Sequence, residues 1–170
     1  MANDLIRGKD KILYFRRLKD QAKEDGAKLA YQTNHEITYS RDNESTATKD
    51  GAVNTAGGLE TTISITALLT RGGISDLMRE AVKTGETIEV WEVDLAGGST
   101  EGEYPALYGQ GTFNEWTDPA DVEEISELDT EMNINGELQK GTVQLTSENI
   151  NEIQYAFTDL KPVTDGGDGV

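Results

Sequence analysis

The chain has 170 residues, which fits one domain, and it carries a net charge of −17. It has no cysteine and a single histidine, His35, which excludes disulfides, thiolate metal sites, a cysteine nucleophile and any multi-histidine metal site. No apolar run is long enough to span a membrane and the first ten residues lack the apolar segment of a signal peptide, so we expect no membrane association.

The charge is unevenly distributed along the chain. Residues 1–30 contain 8 basic and 5 acidic side chains, whereas residues 84–170 contain 2 basic and 20 acidic ones. Such an acidic half repels phosphate, so we expect no binding of nucleic acid by charge neutralisation. The basic beginning and the acidic remainder favour attraction between copies of the same chain.

Alternating apolar residues and regularly spaced turns predict a mainly β fold, a sandwich or barrel of about eight antiparallel strands. The predicted strands are 8–17, 28–41, 59–70, 87–95, 104–116, 122–134, 141–146 and 154–158. The strand 141–146 is expected to return from a hairpin at Asn135-Gly136, the strongest hairpin signal in the chain. Residues 1–164 are predicted to form the single domain, and residues 165–170 a disordered tail.

Residues 42–57 interrupt this pattern with four small apolar residues among polar ones. Such a segment buries too little surface to offset its ordering entropy. It is therefore predicted to be either a long mobile loop or a protruding hairpin.

A helical period follows the third predicted strand, and it indicates one flanking helix over 75–84. The stripe consists of Ile74, Leu77, Met78, Ala81 and Val82. We expect Leu77, Met78 and Ala81 to pack on the sheet, with Ser75 as the N-cap and Gly85 ending the helix.

Residues 122–134 alternate between an apolar and an acidic face. Leu128, Met132 and Ile134 share one face, and the acidic face carries Glu123, Glu127, Asp129 and Glu131. Glu89, on the strand 87–95, is a candidate to join this acidic group. The alternative is that these carboxylates line only the solvated outer face of an antiparallel strand.

No catalytic, cofactor or metal site emerges from the residues. His35 lies on the apolar face of its strand, and no nucleophile elbow accompanies it. The acidic pairs follow no calcium-loop spacing, and the few aromatic residues offer little surface for sugar stacking. We therefore expect a protein that is not an enzyme.

Six segments in order give the sequence a recognisable character. They are Gly8-Lys-Asp10, Thr48-Lys-Asp-Gly51, Glu60-Thr-Thr-Ile-Ser-Ile-Thr-Ala67, Ile88-Glu-Val-Trp-Glu-Val-Asp94, Tyr104-Pro-Ala-Leu-Tyr-Gly-Gln-Gly111 and Asn135-Gly-Glu-Leu-Gln-Lys-Gly141. Over residues 8–160 this succession resembles the major tail proteins of long-tailed, non-contractile bacteriophages of Gram-positive bacteria.

The resemblance implies a structural virion protein, made in the host bacterial cytoplasm, whose hexameric rings stack into a tail tube. It implies that four strands per subunit form a barrel around a lumen through which phage DNA passes without specific binding. The acidic residues named above then become candidates for the lumen wall. Lys49, Asp50, Gly51 and Val53 become candidates for an arm between rings. Tape-measure, terminator and baseplate proteins are the implied partners besides further copies of the chain. The competing interpretation is a β-sandwich module that binds carbohydrate or acts as an adhesin.

Overall fold

The computed structural model describes residues 5–98 and 102–145. Within them the mainly β prediction is confirmed: eight strands form one sheet in which every pair is antiparallel. The strands are β1 (Lys11–Arg17), β2 (Ala27–Lys28), β3 (Gln32–Thr48), β4 (Gly51–Leu68), β5 (Ile88–Asp94), β6 (Glu103–Thr117), β7 (Glu127–Ile134) and β8 (Gln139–Gln144), and the helix α1 is Gly73–Thr84. The strand predicted at 154–158 and the tail predicted at 165–170 lie outside the described residues.

The sheet order is β2-β1-β5-β6-β7-β4-β3, and β6 joins its two halves. The first part of β6 pairs with β5 and β8, and its last part pairs with β7. The halves fold over one another and share one core, since Phe15 of β1 packs against Phe113 of β6 at a ring-centroid distance of 5.9 Å. Ile63 and Ile65 of β4 belong to the same buried cluster as Leu13 and Phe15 of β1, so the core lies between two layers of strands.

The prediction of a hairpin at Asn135-Gly136 is wrong, because β8 does not pair with β7. β8 pairs with β6, in the same direction as β7, and thus continues the line of β7 along the same edge. Gly111 pairs with Ile134 and Tyr108 pairs with Gln139, so four residues of this line face two residues of β6. The two extra residues bulge outward, and the Asn135 N–H still donates to the Gln110 carbonyl at 2.7 Å.

Helix α1 lies where the stripe of apolar residues predicts it, but it begins two residues earlier. Gly72, at φ 77°, is the residue before the helix, so the prediction of Ser75 as N-cap is wrong. Ser75 is buried in the first turn, with its Oγ 3.1 Å from Oγ1 of Thr70. Met78 and Ala81 are fully buried in the core, and Leu77 packs at its margin. Gly85 ends the helix in the left-handed conformation, as predicted.

Residues 42–57 form the far end of the β3–β4 hairpin, the second of the two predicted alternatives. β4 pairs with β7 only from Thr61 to Leu68, so the hairpin beyond Glu60 has no other strand beside it. At about 3.3 Å per residue, the ten residues from Gly51 to Glu60 extend about 30 Å from the sheet. All side chains in 40–56 are exposed. We call this hairpin end, residues 42–57, the arm.

Candidate functional site

The acidic residues of β7 lie on the sheet face that points away from the core. Leu128, Thr130, Met132 and Ile134 are buried, and the residues between them point outward. Asp129 is held in place by Thr66 of β4, whose Oγ1 donates to its Oδ1 at 2.8 Å. Glu131 accepts a hydrogen bond of 3.1 Å from Nδ2 of Asn114. Neighbouring strands thus fix these carboxylates on one surface.

Three further carboxylates, which are not among the predicted members, share this face. They follow from strand register, because directly paired residues point to the same side of a sheet. Glu36 pairs with Ser64, and Glu115 pairs with Glu131. Glu60 lies two positions before Thr62, the pairing partner of Asn133, and therefore points to the same side. The signal that could have found them is the polar half of the alternation in each strand.

The outward face of β3, β4, β7 and the last part of β6 is therefore acidic throughout. It carries Glu36, Glu60, Glu115, Glu127, Asp129 and Glu131 among Thr, Ser and Asn side chains. No lysine or arginine from residues 32–40, 60–68, 112–117 or 127–134 lies on it. We call this surface the acidic face; its potential is negative with no built-in counter-charge.

Two predicted members of the acidic face do not belong to it. Glu123 precedes β7 in an exposed turn, because β7 begins only at Glu127. Glu89 points to the same side of the sheet but is fully buried under Arg16, Gln21 and Tyr108. It therefore contributes no exposed charge, and its inclusion in the exposed acidic group is corrected.

Glu89 is the centre of a buried structural network. The Arg16 Nε–H donates to it at 2.6 Å, the Tyr108 hydroxyl at 2.6 Å and the Gln21 amide at 3.0 Å. The hydrogen bond to Glu89 raises the pKa of Arg16. Burial raises the pKa of Tyr108, and its hydrogen bond to Glu89 raises it further. The carboxylate thus has three donors, which is how a charge is accommodated away from water.

The acidic face spans four adjacent strands, and on each side of it lies a stretch of strand edge that pairs with no described strand. β3 pairs only with β4 within the described residues, so its other edge is open along its length. Residues 112–117 of β6 pair with β7, and among the described strands none lies on their other side, because β5 begins opposite Gly111. Open edges present unpaired backbone groups that accept another strand.

The arm ends in a two-residue turn formed by Lys49 and Asp50. Thr48 Oγ1 donates to the Gly51 carbonyl at 2.5 Å and accepts from the Asp50 N–H at 3.3 Å, which fixes the turn. Lys49, Asp50, Gly51 and Val53 are all exposed, so the tip is available for contact with another molecule. Near its base, Gly57 and Gly58 stand opposite Asp42 alone, which makes a β-bulge where the arm leaves the sheet.

His35 lies in a groove of about 700 Å³ between β3 and the β1–β5 layer. Its Nε2 is 2.6 Å from Oε2 of Glu92, and Lys11 Nζ is 3.3 Å from the other oxygen of that carboxylate. In the described part of the chain no cluster of three potential metal ligands exists. A search of the same residues for a helix long and apolar enough to cross a bilayer finds none.

These features define a class of protein: a structural subunit whose edge strands and projecting arm are available to other copies, with an acidic face between the edges. The comparison with known families agrees, because the family model described as phage tail tube protein matches residues 5–140. A putative tail protein of Staphylococcus phage phiMR25 is 30% identical over 166 residues, spanning 94% of this chain and 84% of that relative. The chain belongs to the phage tail tube protein family.

Solved structures show the same fold. The SPP1 tail tube aligns with a TM-score of 0.74 at 19% identity, over 97% of this chain and 98% of that chain. The tail of a gene transfer agent, refined with C6 symmetry, aligns with a TM-score of 0.62 at 13% identity, over 79% and 98%. A six-fold symmetrised anti-feeding prophage baseplate aligns with 0.54 at 8% identity, over 85% and 98%. As a tail tube family member, the chain is a structural component of the phage tail and is located in the virion.

Proposed function

We propose that six copies of the chain close into a ring through their open strand edges, and that stacked rings form a tube whose inner wall is the acidic face. The observation that carries this proposal is the coincidence of the acidic face with the four strands that lie between the two open edges. A wall made of those strands is continuous only if each subunit pairs with the next at both edges.

Strand direction is compatible with this closure. β6, β7, β4 and β3 alternate in direction, so β3 of one copy lies antiparallel to the last part of β6 in the next. Six copies of four strands give 24 strands, and at about 4.8 Å per strand and a tilt of about 40° the closed barrel is about 50 Å across. The copy number of six is supported by the symmetry of the gene transfer agent tail and the prophage baseplate.

The polarity of the two faces supports the assignment of the acidic face to the inside of the barrel and of the core face to the outside. The core face of these strands is covered by the rest of the subunit, including α1, and must therefore lie outside the barrel wall. The acidic face then lines the lumen. A negative wall repels DNA phosphates and gives no lysine or arginine contact at which the DNA would stick. Phage DNA passes such a wall without specific binding.

The arm makes the contact between rings. It projects about 30 Å beyond the part of β4 that pairs with β7, in the direction of the strands and away from the body of the subunit. Its tip residues Lys49, Asp50, Gly51 and Val53 have no packing partner within the described part of the subunit. In this role the chain needs no catalytic activity, and tape-measure, terminator and baseplate proteins meet it inside the tube and at its ends.

The experiment is a charge reversal on the wall, with the variant gene carried by the phage. Glu127→Lys with Asp129→Lys places cations on the wall, and we expect complete tails that release DNA slowly and infect poorly. The neutral pair Glu127→Gln with Asp129→Asn is expected to lie between this variant and the wild type. Glu24→Lys with Asp25→Lys makes the same change of charge away from the acidic face and serves as the control. Normal DNA release from the Glu127→Lys, Asp129→Lys tails contradicts the assignment of the wall.

A further inference from the structure

Seven large hydrophobic side chains are exposed in the described part of the chain, and four of them form two pairs. Leu5 and Ile6 are 93% and 72% exposed in the segment that precedes β1. Val122 and Ile125 are 99% and 72% exposed in the connection between β6 and β7. A side chain this exposed gains nothing from its own subunit, so each pair is available to another molecule.

The two segments carry opposite charges, because residues 5–9 contain two basic residues and no carboxylate, although Asp4 and Asp10 flank them in the sequence. Arg7 and Lys9 follow the first pair and form no ion pair within the described residues. The second pair lies in residues 118–126, which contain four carboxylates and no basic residue. They are Asp118, Asp121, Glu123 and Glu124, and of these Asp118 also lies 4.0 Å from Arg79 of its own subunit. Apolar contact and charge complementarity therefore both favour contact between these two segments of different copies.

The sheet places the two segments at opposite open edges. Gly8 and Lys9 line the groove beside Thr33 and Asn34, at the start of β3. Residues 118–126 follow directly on the last part of β6. In an antiparallel pair the start of one strand lies beside the end of the other. In the proposed ring, the segment before β1 in one copy therefore meets the β6–β7 connection of the next copy.

We propose that residues 5–9 of each copy bind residues 118–126 of the neighbouring copy in the ring, with Leu5 and Ile6 seated on Val122 and Ile125. This inference rests on the ring of the proposed function. It adds a second contact beside the strand pairing, and it gives the uneven charge of the chain a role in choosing the correct neighbour. The occupant of the acidic connection is a second copy of this chain.

Charge exchange tests the polar part of this contact in the full-length chain. We expect Lys9→Glu and Glu123→Lys each to raise the concentration needed for assembly by roughly three- to tenfold, because each brings like charges together. The double variant restores the pair in reversed order and should assemble at nearly the wild-type concentration. Absence of rescue in the double variant, or no effect of either single change, overturns the contact.

Cross-linking tests the apolar part. The chain has no cysteine, so Ile6→Cys with Ile125→Cys introduces the only thiols. A short bismaleimide added to assembled tubes should give a ladder of linked copies up to the closed ring. The matched control, Ile6→Cys with Glu137→Cys, should give none. Tubes that form normally without a ladder overturn this contact and leave the ring intact, whereas a wild-type chain that never assembles overturns both.

Discussion

Nε2 of His35 on β3 lies 2.6 Å from Oε2 of Glu92 on β5, although 57 residues separate them in the sequence. Lys11 of β1 completes the cluster at 3.3 Å from the same carboxylate. Glu92 is only 8% exposed, so the contact connects the edge strand β3 to the opposite layer in a partly dry environment. We interpret this cluster as a polar contact that holds the start of β3 against the layer formed by β1 and β5.

Replacement of Glu92 is expected to destabilise the fold in a pH-dependent way. Burial alone raises the pKa of Glu92, but the hydrogen bond with His35 and the charge of Lys11 outweigh burial and lower it. The stabilisation that ionised Glu92 provides is therefore fully present above its pKa in the unfolded chain, which is about 4.3. It is lost as the pH falls through the lower pKa that Glu92 has in the folded chain.

We expect Glu92→Gln to lower the free energy of unfolding by about 1–3 kcal/mol at pH 7, with a smaller loss in acid. Urea unfolding of the variant and the wild type at pH 7 and at pH 3 measures this difference. Glu36→Gln is the control, because Glu36 is on the exposed face next to His35, and it should change stability by less than about 0.5 kcal/mol. An equal loss for Glu92→Gln at pH 7 and pH 3 contradicts the assignment.

Gly111 is predicted to be sensitive to substitution, because it lies where the pairing of β6 changes from β5 to β7. It pairs with Ile88 on one side and Ile134 on the other, and an added Cβ would lie 2.8 Å from the carbonyl carbon of Asn133. We expect Gly111→Ala to cost about 2–3 kcal/mol through overpacking. Gly141→Ala, where no atom lies within 4 Å of the added Cβ, should be tolerated. Thermal unfolding of both variants is the measurement, and equal stabilities would contradict the packing described here.

Met78 is predicted to hold α1 against the sheet. It is fully buried in the core, so Met78→Ala should lower the free energy of unfolding by about 2–5 kcal/mol. Lys83→Ala, at an exposed position of the same helix, should remain within about 0.5 kcal/mol of the wild type. Denaturant titration compares the two. A Met78→Ala variant as stable as the wild type means that the helix does not pack as the structure shows.

Deletion of residues 44–56 is expected to separate folding from assembly. These side chains are exposed and contribute nothing to the core, so the shortened chain should keep the circular dichroism spectrum and melting temperature of the parent within a few degrees. It should form no tubes, because contact between rings is lost. Electron microscopy and sedimentation are the measurements, with Val53→Ser as a milder variant of the same surface. Normal tubes without the arm would refute its role between rings.

Local patterns predicted the elements whose burial follows from their own period. The alternation in 122–134 assigned Asp129 and Glu131 to the outer side of β7, and the structure places them there. The same reasoning failed for Glu89, because β5 is covered on both sides by segments distant in sequence. The sequence of a strand does not by itself indicate which distant segments will cover its two faces.

The prediction of a hairpin from the turn residues Asn135 and Gly136 is also wrong. Asn135-Gly136 has the residues of a tight hairpin, but β6 is 15 residues long and pairs with both β7 and β8 along one edge. The pairing of both β7 and β8 with β6 therefore determines the conformation of residues 135–138, and the Asn-Gly pair lies in an outward bulge instead of a hairpin turn. The polar composition of 42–57 likewise could not distinguish a loop from a hairpin, since hydrogen bonding between its own two strands is what orders it.

The most direct measurement is the structure of tubes assembled from the purified chain, determined by cryo-electron microscopy. We expect six subunits per ring, with β3 of each copy hydrogen-bonded to residues 112–117 of β6 in the next. We also expect Glu127, Asp129 and Glu131 to line the lumen. Rings joined through other edges, or tubes whose acidic face points to the outer surface, would contradict this arrangement.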